Sequence, residues 1–491
     1  MPSASTVRPD RRAGRRGPRR PVVVATALLA VLVLLAGYAA ADAADVLPGP
    51  LTTAPPPEPD PWPQAPGAEV PTEGAAPVLA EASTAAPRPG PAALAAVLDP
   101  LLGAPALGPA RSAVVTDALT GDVLLDEGGG APRQPASTVK LLTGAAALSL
   151  LGGGTTLPTS VVLGADDGAT PVVVLVAGGD VLLGAGAGDP GAVVGRAGLA
   201  DLADEVASAL ADRGERRVAL RLADPLAPSG PVRPAGWTPG DVALGYAADV
   251  TGVAVDAGRL ADEEYAPRAP DPGLAAAEVL ADRLRERGVD VVGDVARGDP
   301  AALPQDAPVL GEVRSAPLAE VVGDVLRVSD NTGAEALGLL VARASGAPVT
   351  PAGAARAVPA AVAELGVDVG GAELADVSGL GDGSGVPATA LTGVLAAAAR
   401  EDALRPVLEG LPVAGLTGSL AGRLGDEPAA RGQVRAKTGT LTGVSSLAGV
   451  TVDADGRLLA FAVLADEVPA TEAARGALDD VAAALAGCGC R

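Results

Sequence analysis

The chain has 491 residues, with 36 basic side chains against 59 acidic ones and a net charge of −23. So acidic a surface repels phosphate backbones and argues against nucleic acid as a partner. Histidine is absent, which excludes a Ser-His-Asp triad, and only 1% of residues are aromatic, so a core must be built mostly from Val, Leu and Ala.

Seven arginines between Arg8 and Arg20 stand against Asp10, and Pro21 to Ala41 then carries no charge. A basic leader ahead of such a run reads as a secretory signal or an N-terminal membrane anchor over residues 1–45. Its length suits a single span, and the small residues Ala39, Ala41 and Ala43 suit cleavage. Either reading places the bulk of the protein outside the cytoplasmic membrane. Residues 46–91 are rich in Pro, Ala and Glu, include Pro55-Pro56-Pro57, and read as a semi-extended tether.

Folded patterning begins near Ala92. A short helix is expected over Ala93–Leu102, and strands over Ala113–Asp117 and Asp122–Leu125, joined at Leu119-Thr120-Gly121. An apolar helix is expected from Ser137, after Pro135, to about Leu151, where Gly152-Gly153-Gly154 ends it. This first part spans 92–156.

Between 157 and 308 the texture changes. Strand candidates Val161–Leu163, Val172–Ala177, Val218–Leu222 and Val253–Val255 alternate with helices Leu199–Arg213 and Leu274–Arg287, which reads as a mixed α/β insertion module. No catalytic constellation is visible within it.

A third part, 309–491, returns to helices at Leu318–Arg327, Ala334–Ser345 and Pro351–Leu365. Strands Val444–Val452 and Leu458–Ala465 follow, turned by Asp453-Ala454-Asp455-Gly456, with a closing helix over Ala470–Leu485. The outer parts read as one α/β (α+β) domain interrupted by the insertion. Cys488 and Cys490 read as a local disulfide or two free thiols without a catalytic role, and a Cys-x-Cys without histidine makes a poor metal site.

The rare residues carry the chemistry. Of the 36 basic residues only Lys140 and Lys437 are lysine, and Asn331 is the sole asparagine. Lys140 closes Ser137-Thr138-Val139-Lys140, which puts hydroxyl and amine one helical turn apart on one face. Asn331 ends Ser329-Asp330-Asn331, and Lys437 begins Lys437-Thr438-Gly439-Thr440 on a strand ahead of the last hairpin. An arginine does not give up its proton near neutral pH, whereas a desolvated ammonium can, so lysine is retained where a base is required. Serine nucleophile with lysine base is the chemistry these positions allow.

These three motifs, in this order, resemble the penicillin-binding proteins and serine β-lactamases. The long interval between Ser137 and Ser329 resembles the D-alanyl-D-alanine carboxypeptidases of the penicillin-binding protein 4 type, peptidase family S13. Gly178-Gly179-Asp180, Asp376-Val377-Ser378-Gly379-Leu380 (with Val377 a departure from the family's glycine) and Leu411-Pro412-Val413-Ala414-Gly415 ahead of Gly418-Ser419-Leu420 are similar to that family's segments. The resemblance implies a transpeptidase-like domain interrupted by an insertion, and an acyl-enzyme on Ser137 that trims peptidoglycan stem peptides. It implies Lys140 as base, Ser329 as proton relay, and Asn331, Lys437, Thr438, Gly439 and Thr440 as substrate-binding. Gly439 would let the strand approach the ligand, and Asp330 would be a solvated or structural partner rather than a catalyst. It also implies inhibition by β-lactam antibiotics and no metal or cofactor, and it leaves open whether the same site also cuts cross-links as an endopeptidase. A serine β-lactamase and a catalytically inert cell-wall binding protein are the alternative readings.

Overall fold

A computed structural model describes residues 31–33, 35–42, 85–164, 170–304 and 306–491. The chain divides into two compact units, Met1–Leu79 and Ala80–Arg491. In the first, residues 31–33 and 35–42 are helical; the rest of the apolar run from Pro21, and the tether from 46 to 84, lie outside the described residues. Among the described residues no helix is long and apolar enough to cross a membrane.

The second unit holds two sheets. β1 (Ala110–Asp117) and β2 (Val123–Glu127) form a hairpin. The chain then builds a second sheet from β3 (Pro158–Leu163), β4 (Val172–Val176), β5 (Arg217–Ala223), β6 (Asp290–Val291), β7 (Ala296–Arg297) and β8 (Val309–Arg314). It returns with β9 (Arg435–Leu441), β10 (Val444–Val452) and β11 (Leu458–Asp466). The first sheet runs β2-β1-β11-β10-β9, antiparallel throughout. β11 is a nearly continuous apolar run, and β10, though it carries Ser445, Ser446 and Thr451, is buried along almost its whole length, because both faces of this sheet are covered. Ala460, Ala462 and Leu464 of β11 face the helices Lys140–Leu151 and Ala388–Arg400. The alternate residues Leu459, Phe461, Val463 and Ala465 face Pro91–Leu102 and Thr471–Ala486. Phe461, the sole phenylalanine, is fully buried in that second layer. Behind the closing helix, Cys488 and Cys490 pair with one another.

The insertion's sheet is mixed, in the order β6-β5-β4-β3-β8 with β7 on β5. Helices Leu199–Asp212 and Pro272–Glu286 link its parallel strands and cover one face. Because β8 pairs with β3, this sheet extends to Arg314, past the expected edge at 308.

Other expectations change in detail. Val253–Val255 is no strand: it makes a short bridge to residues 180–183, and the left-handed backbone of Asp256 and Ala257 then turns it away. Helix Ala388–Arg400 has no counterpart in the sequence reading; its Ala-rich stretch offers little periodic contrast. The helix expected from Ser137 begins at Lys140, because residues 136–139 form one 3₁₀ turn.

Candidate active site

The tight turn improves the geometry the spacing called for. Side chains three apart nearly eclipse in a 3₁₀ turn, and Lys140 Nζ donates to Ser137 Oγ at 3.0 Å. Thr138 ties the turn to Pro135 through its amide and its hydroxyl. Ala136 holds a left-handed φ of 46°, and Ser446 Oγ on β10 grips the Pro135 carbonyl at 2.7 Å. Ser137 thus stands on the rim just ahead of a helix buried from Lys140 to Leu148.

Lys140, only 1% exposed, also donates to Asn331 Oδ1 at 2.7 Å and to the Ser378 carbonyl at 2.6 Å. All three ammonium hydrogens therefore have acceptors. Burial pulls its pKa down to about 8, against the opposing pull of Asp376, Asp330 and Glu335. The Ser378 carbonyl is aimed by Asp376, whose Oδ1 accepts from the amides of Ser378 and Gly379, and by Glu335, whose Oε1 accepts from those of Val377 and Ser378. Thr143 Oγ1 donates to the Val377 carbonyl at 2.6 Å. Val377, where the family pattern has glycine, is accommodated by Gly338 on the facing helix: a Cβ there would meet Val377 Cγ2 at 2.5 Å.

Ser329 links the helices Leu318–Val328 and Asn331–Ala344 in a left-handed conformation, φ 61°. Its hydroxyl accepts from Lys437 Nζ at 2.9 Å, and Lys437 also donates to the Thr438 carbonyl. Lys437 is wholly buried, and its pKa lies well below the ordinary lysine value, first through burial and then through the charge of Lys140. Thr438 Oγ1 lies 2.7 Å from Ser419 Oγ. Asp330 caps the following helix through the Gly333 amide, as a structural partner should.

A cleft of about 540 Å³ collects Ser137, Ser329, Asn331, Thr438 and Thr440 on its walls. Gly439 is not on them. A Cβ there would meet Ser446 Oγ at 2.1 Å and the Pro135 carbonyl at 2.7 Å. The glycine therefore lets β9 close on the turn that carries the nucleophile. Beside it, residues 412–414 pair with 434–436 and cover only the start of β9.

Comparison with known proteins places this arrangement. The chain matches the D-Ala-D-Ala carboxypeptidase 3 (S13) family over residues 94–270 and 261–485. It is 37% identical over 484 residues to carboxypeptidase DacB of Mycolicibacterium smegmatis, covering 96% of this chain and 97% of that one. The chain belongs to the S13 family. A carboxypeptidase of Mycobacterium tuberculosis is 36% identical over 76% of this chain and 79% of its own. Penicillin-binding protein 4 of Haemophilus influenzae shares the fold, with a TM-score of 0.63 over 79% of this chain and 97% of that one at 21% identity.

Several site residues of this S13 chain escape a reading by motif. Tyr246, Tyr265, Arg259 and Arg268 bring the insertion to the cleft, although no constellation was visible in it. Trp237 Nε1 donates to Asp376 Oδ2 at 3.0 Å from the same module. Glu335 lies only four positions beyond Asn331, and a buried carboxylate on an otherwise apolar helix face was the signal that could have found it. Among the described residues no group of His, Cys, Asp or Glu could hold a metal.

Proposed function

We propose that this chain is a serine-type D-alanyl-D-alanine carboxypeptidase that trims peptidoglycan stem peptides through an acyl-enzyme on Ser137. The observation that carries the reading is Lys140: buried, bonded to Ser137 Oγ, and with a pKa of about 8, so that a neutral amine is accessible near neutral pH. Ser137 Oγ attacks the carbonyl of the penultimate D-Ala and passes its proton to Lys140 Nζ. The backbone amides of Ser137 and Thr440 receive the developing oxyanion, a contribution worth roughly a hundred- to a thousandfold per donor. As the C–N bond breaks, the departing D-Ala nitrogen takes the proton that Lys140 had accepted, relayed through Ser329, which Lys437 touches, and Lys140 returns to the neutral amine. Water then cleaves the ester and restores Ser137.

Thr438 and Thr440 face the substrate's terminal carboxylate, and Lys437 supplies positive charge from beneath them. Asn331, on the cleft wall, orients Lys140 and bonds the substrate amide. A β-lactam presents the same carbonyl and carboxylate and acylates Ser137. The basic leader and apolar run place this chemistry in the cell envelope, secreted or held by the N-terminal segment. Cleavage of cross-links would use the same groups.

The test is D-Ala release from a diacetylated Lys-D-Ala-D-Ala peptide and from its C-terminal amide, with cross-linked muropeptides run in parallel. Release from the free acid at a rate far above the amide supports the reading. Equal rates, or none from the acid, contradict it.

A further inference from the structure

The insertion makes contacts that reach the catalytic groups through the second motif. Tyr246 accepts at its carbonyl from Asn331 Nδ2 at 2.9 Å, the Ala248 amide donates to Thr332 Oγ1 at 2.9 Å, and Arg259 Nη2 pairs with Asp330 Oδ2 at 2.7 Å. Three consecutive residues after Ser329 are therefore held from one inserted segment. Arg259 is itself fixed: Asp256 Oδ1 lies 3.0 Å from its Nη1, and its side chain is 15% exposed. The loop that aims it is strained, with Asp256 at φ 42° and Ala257 at φ 51°, and is pinned by the Val181 carbonyl and by Arg268, which donates to the Ala257 carbonyl. Asp330 in turn spends its other oxygen on the Gly333 amide at 2.6 Å, at the start of the helix whose first residue is Asn331.

We propose that Arg259 is a positioning residue: through Asp330 it holds the Ser329-Asp330-Asn331 turn in place and offsets a carboxylate that would otherwise keep the proton on Lys140. This rests on the function proposed above. The charges that act on Lys140 are Asp376, Asp330 and Glu335, and its own charge bears on Lys437; around Arg259 stand Asp256, Asp330, Asp324 and Arg268. Without Arg259, Asp330 is unopposed and favours protonated Lys140. Without the Asp330 charge the balance reverses.

The experiment follows the benzylpenicillin acylation rate of the full chain against pH, for wild type, R259Q, R259K, D330N and the R259Q/D330N double variant. The rising limb should move to higher pH in R259Q, with a rate at pH 7 roughly tenfold lower, which is one pH unit of a base that must be deprotonated. It should move to lower pH in D330N, stay near wild type in R259K, and return toward wild type in the double variant. Asparagine keeps the helix cap through its oxygen but turns an N–H2 toward Arg259, so a thermal melt accompanies each profile, and the R259Q/D330N double variant, in which neither charge is left unpaired, carries the test if a single variant does not fold. A lower rate with an unmoved limb, or limbs moving the same way in R259Q and D330N, overturns the proposal. A wild type that penicillin does not acylate overturns the function instead.

Discussion

The neighbourhoods of the two lysines differ in what surrounds equal burial. Lys140 sits among Asp376, Asp330 and Glu335, which pull its pKa back up to about 8 against desolvation. Lys437 has desolvation and the charge of Lys140 against it, and among the described residues no carboxylate pairs with it. The lesson is that burial alone does not make a base. On the function proposed here, Lys140 exchanges a proton near neutrality, whereas Lys437 takes the substrate's terminal carboxylate as its missing anion. Below about pH 8 Lys140 holds its proton, so the acylation rate should fall about tenfold per pH unit as pH drops from there. A stopped-flow pH profile checks this; a rate flat from pH 6 to 9 would remove Lys140 as the base.

The largest effect that sharpens the contrast is at the nucleophile and its base. K140R keeps a charge but cannot release a proton, and acylation should fall by roughly a thousandfold or more. K437R keeps a positive charge, and on the proposed reading it should cost less than K140R, the loss coming from fitting a larger guanidinium into a buried site beside Ser329. Equal losses in the two would erase the distinction.

Next in size is K437A. It should lower kcat/KM about a hundredfold on peptides with a free terminal carboxylate, and much less on the amide, as expected for the loss of one charge-assisted contact. Equal losses on both would deny Lys437 its part in carboxylate recognition.

G439A is smaller again. The added methyl would press on Ser446 Oγ and the Pro135 carbonyl, displacing β9 from the nucleophile's turn at a cost of about 1–3 kcal/mol. A thermal melt lowered by several degrees, with slower acylation, is expected; an unchanged melt would show that strand and turn move apart freely.

The smallest change should be E335Q. Burial, and then the charge of Asp376, raises the Glu335 pKa to about 8, so at pH 7 the carboxyl carries little charge and adds least to the pull of Asp376 and Asp330 on Lys140. Glutamine can accept the same two amide bonds, and activity at pH 7 should stay within a few-fold of wild type. Loss comparable to K140R would make Glu335 a charged participant.

The lysine neighbourhoods also show what a sequence can carry. Lys140, Lys437 and Asn331 were legible because each is rare in this composition and each falls in a motif. The two long strands of the last hairpin were legible from their apolar runs and the Asp/Gly turn between them. What tunes Lys140 was not. The Ser378 carbonyl has no side-chain signature, and its aim depends on Asp376, Glu335 and Trp237, which meet only in the fold. Arg259 is one of many arginines, and nothing local distinguishes it from those on the surface. The Val377 departure read as a doubt in sequence, and only the packed helix shows Gly338 making room for it.

The most direct test of the central claim is the intact mass of the full chain after mixing with benzylpenicillin, followed over time in wild type and S137A. The account predicts a single covalent adduct on the wild type that maps to Ser137 and is absent from S137A. An adduct that survives S137A, or a wild type that never acquires one, would contradict it.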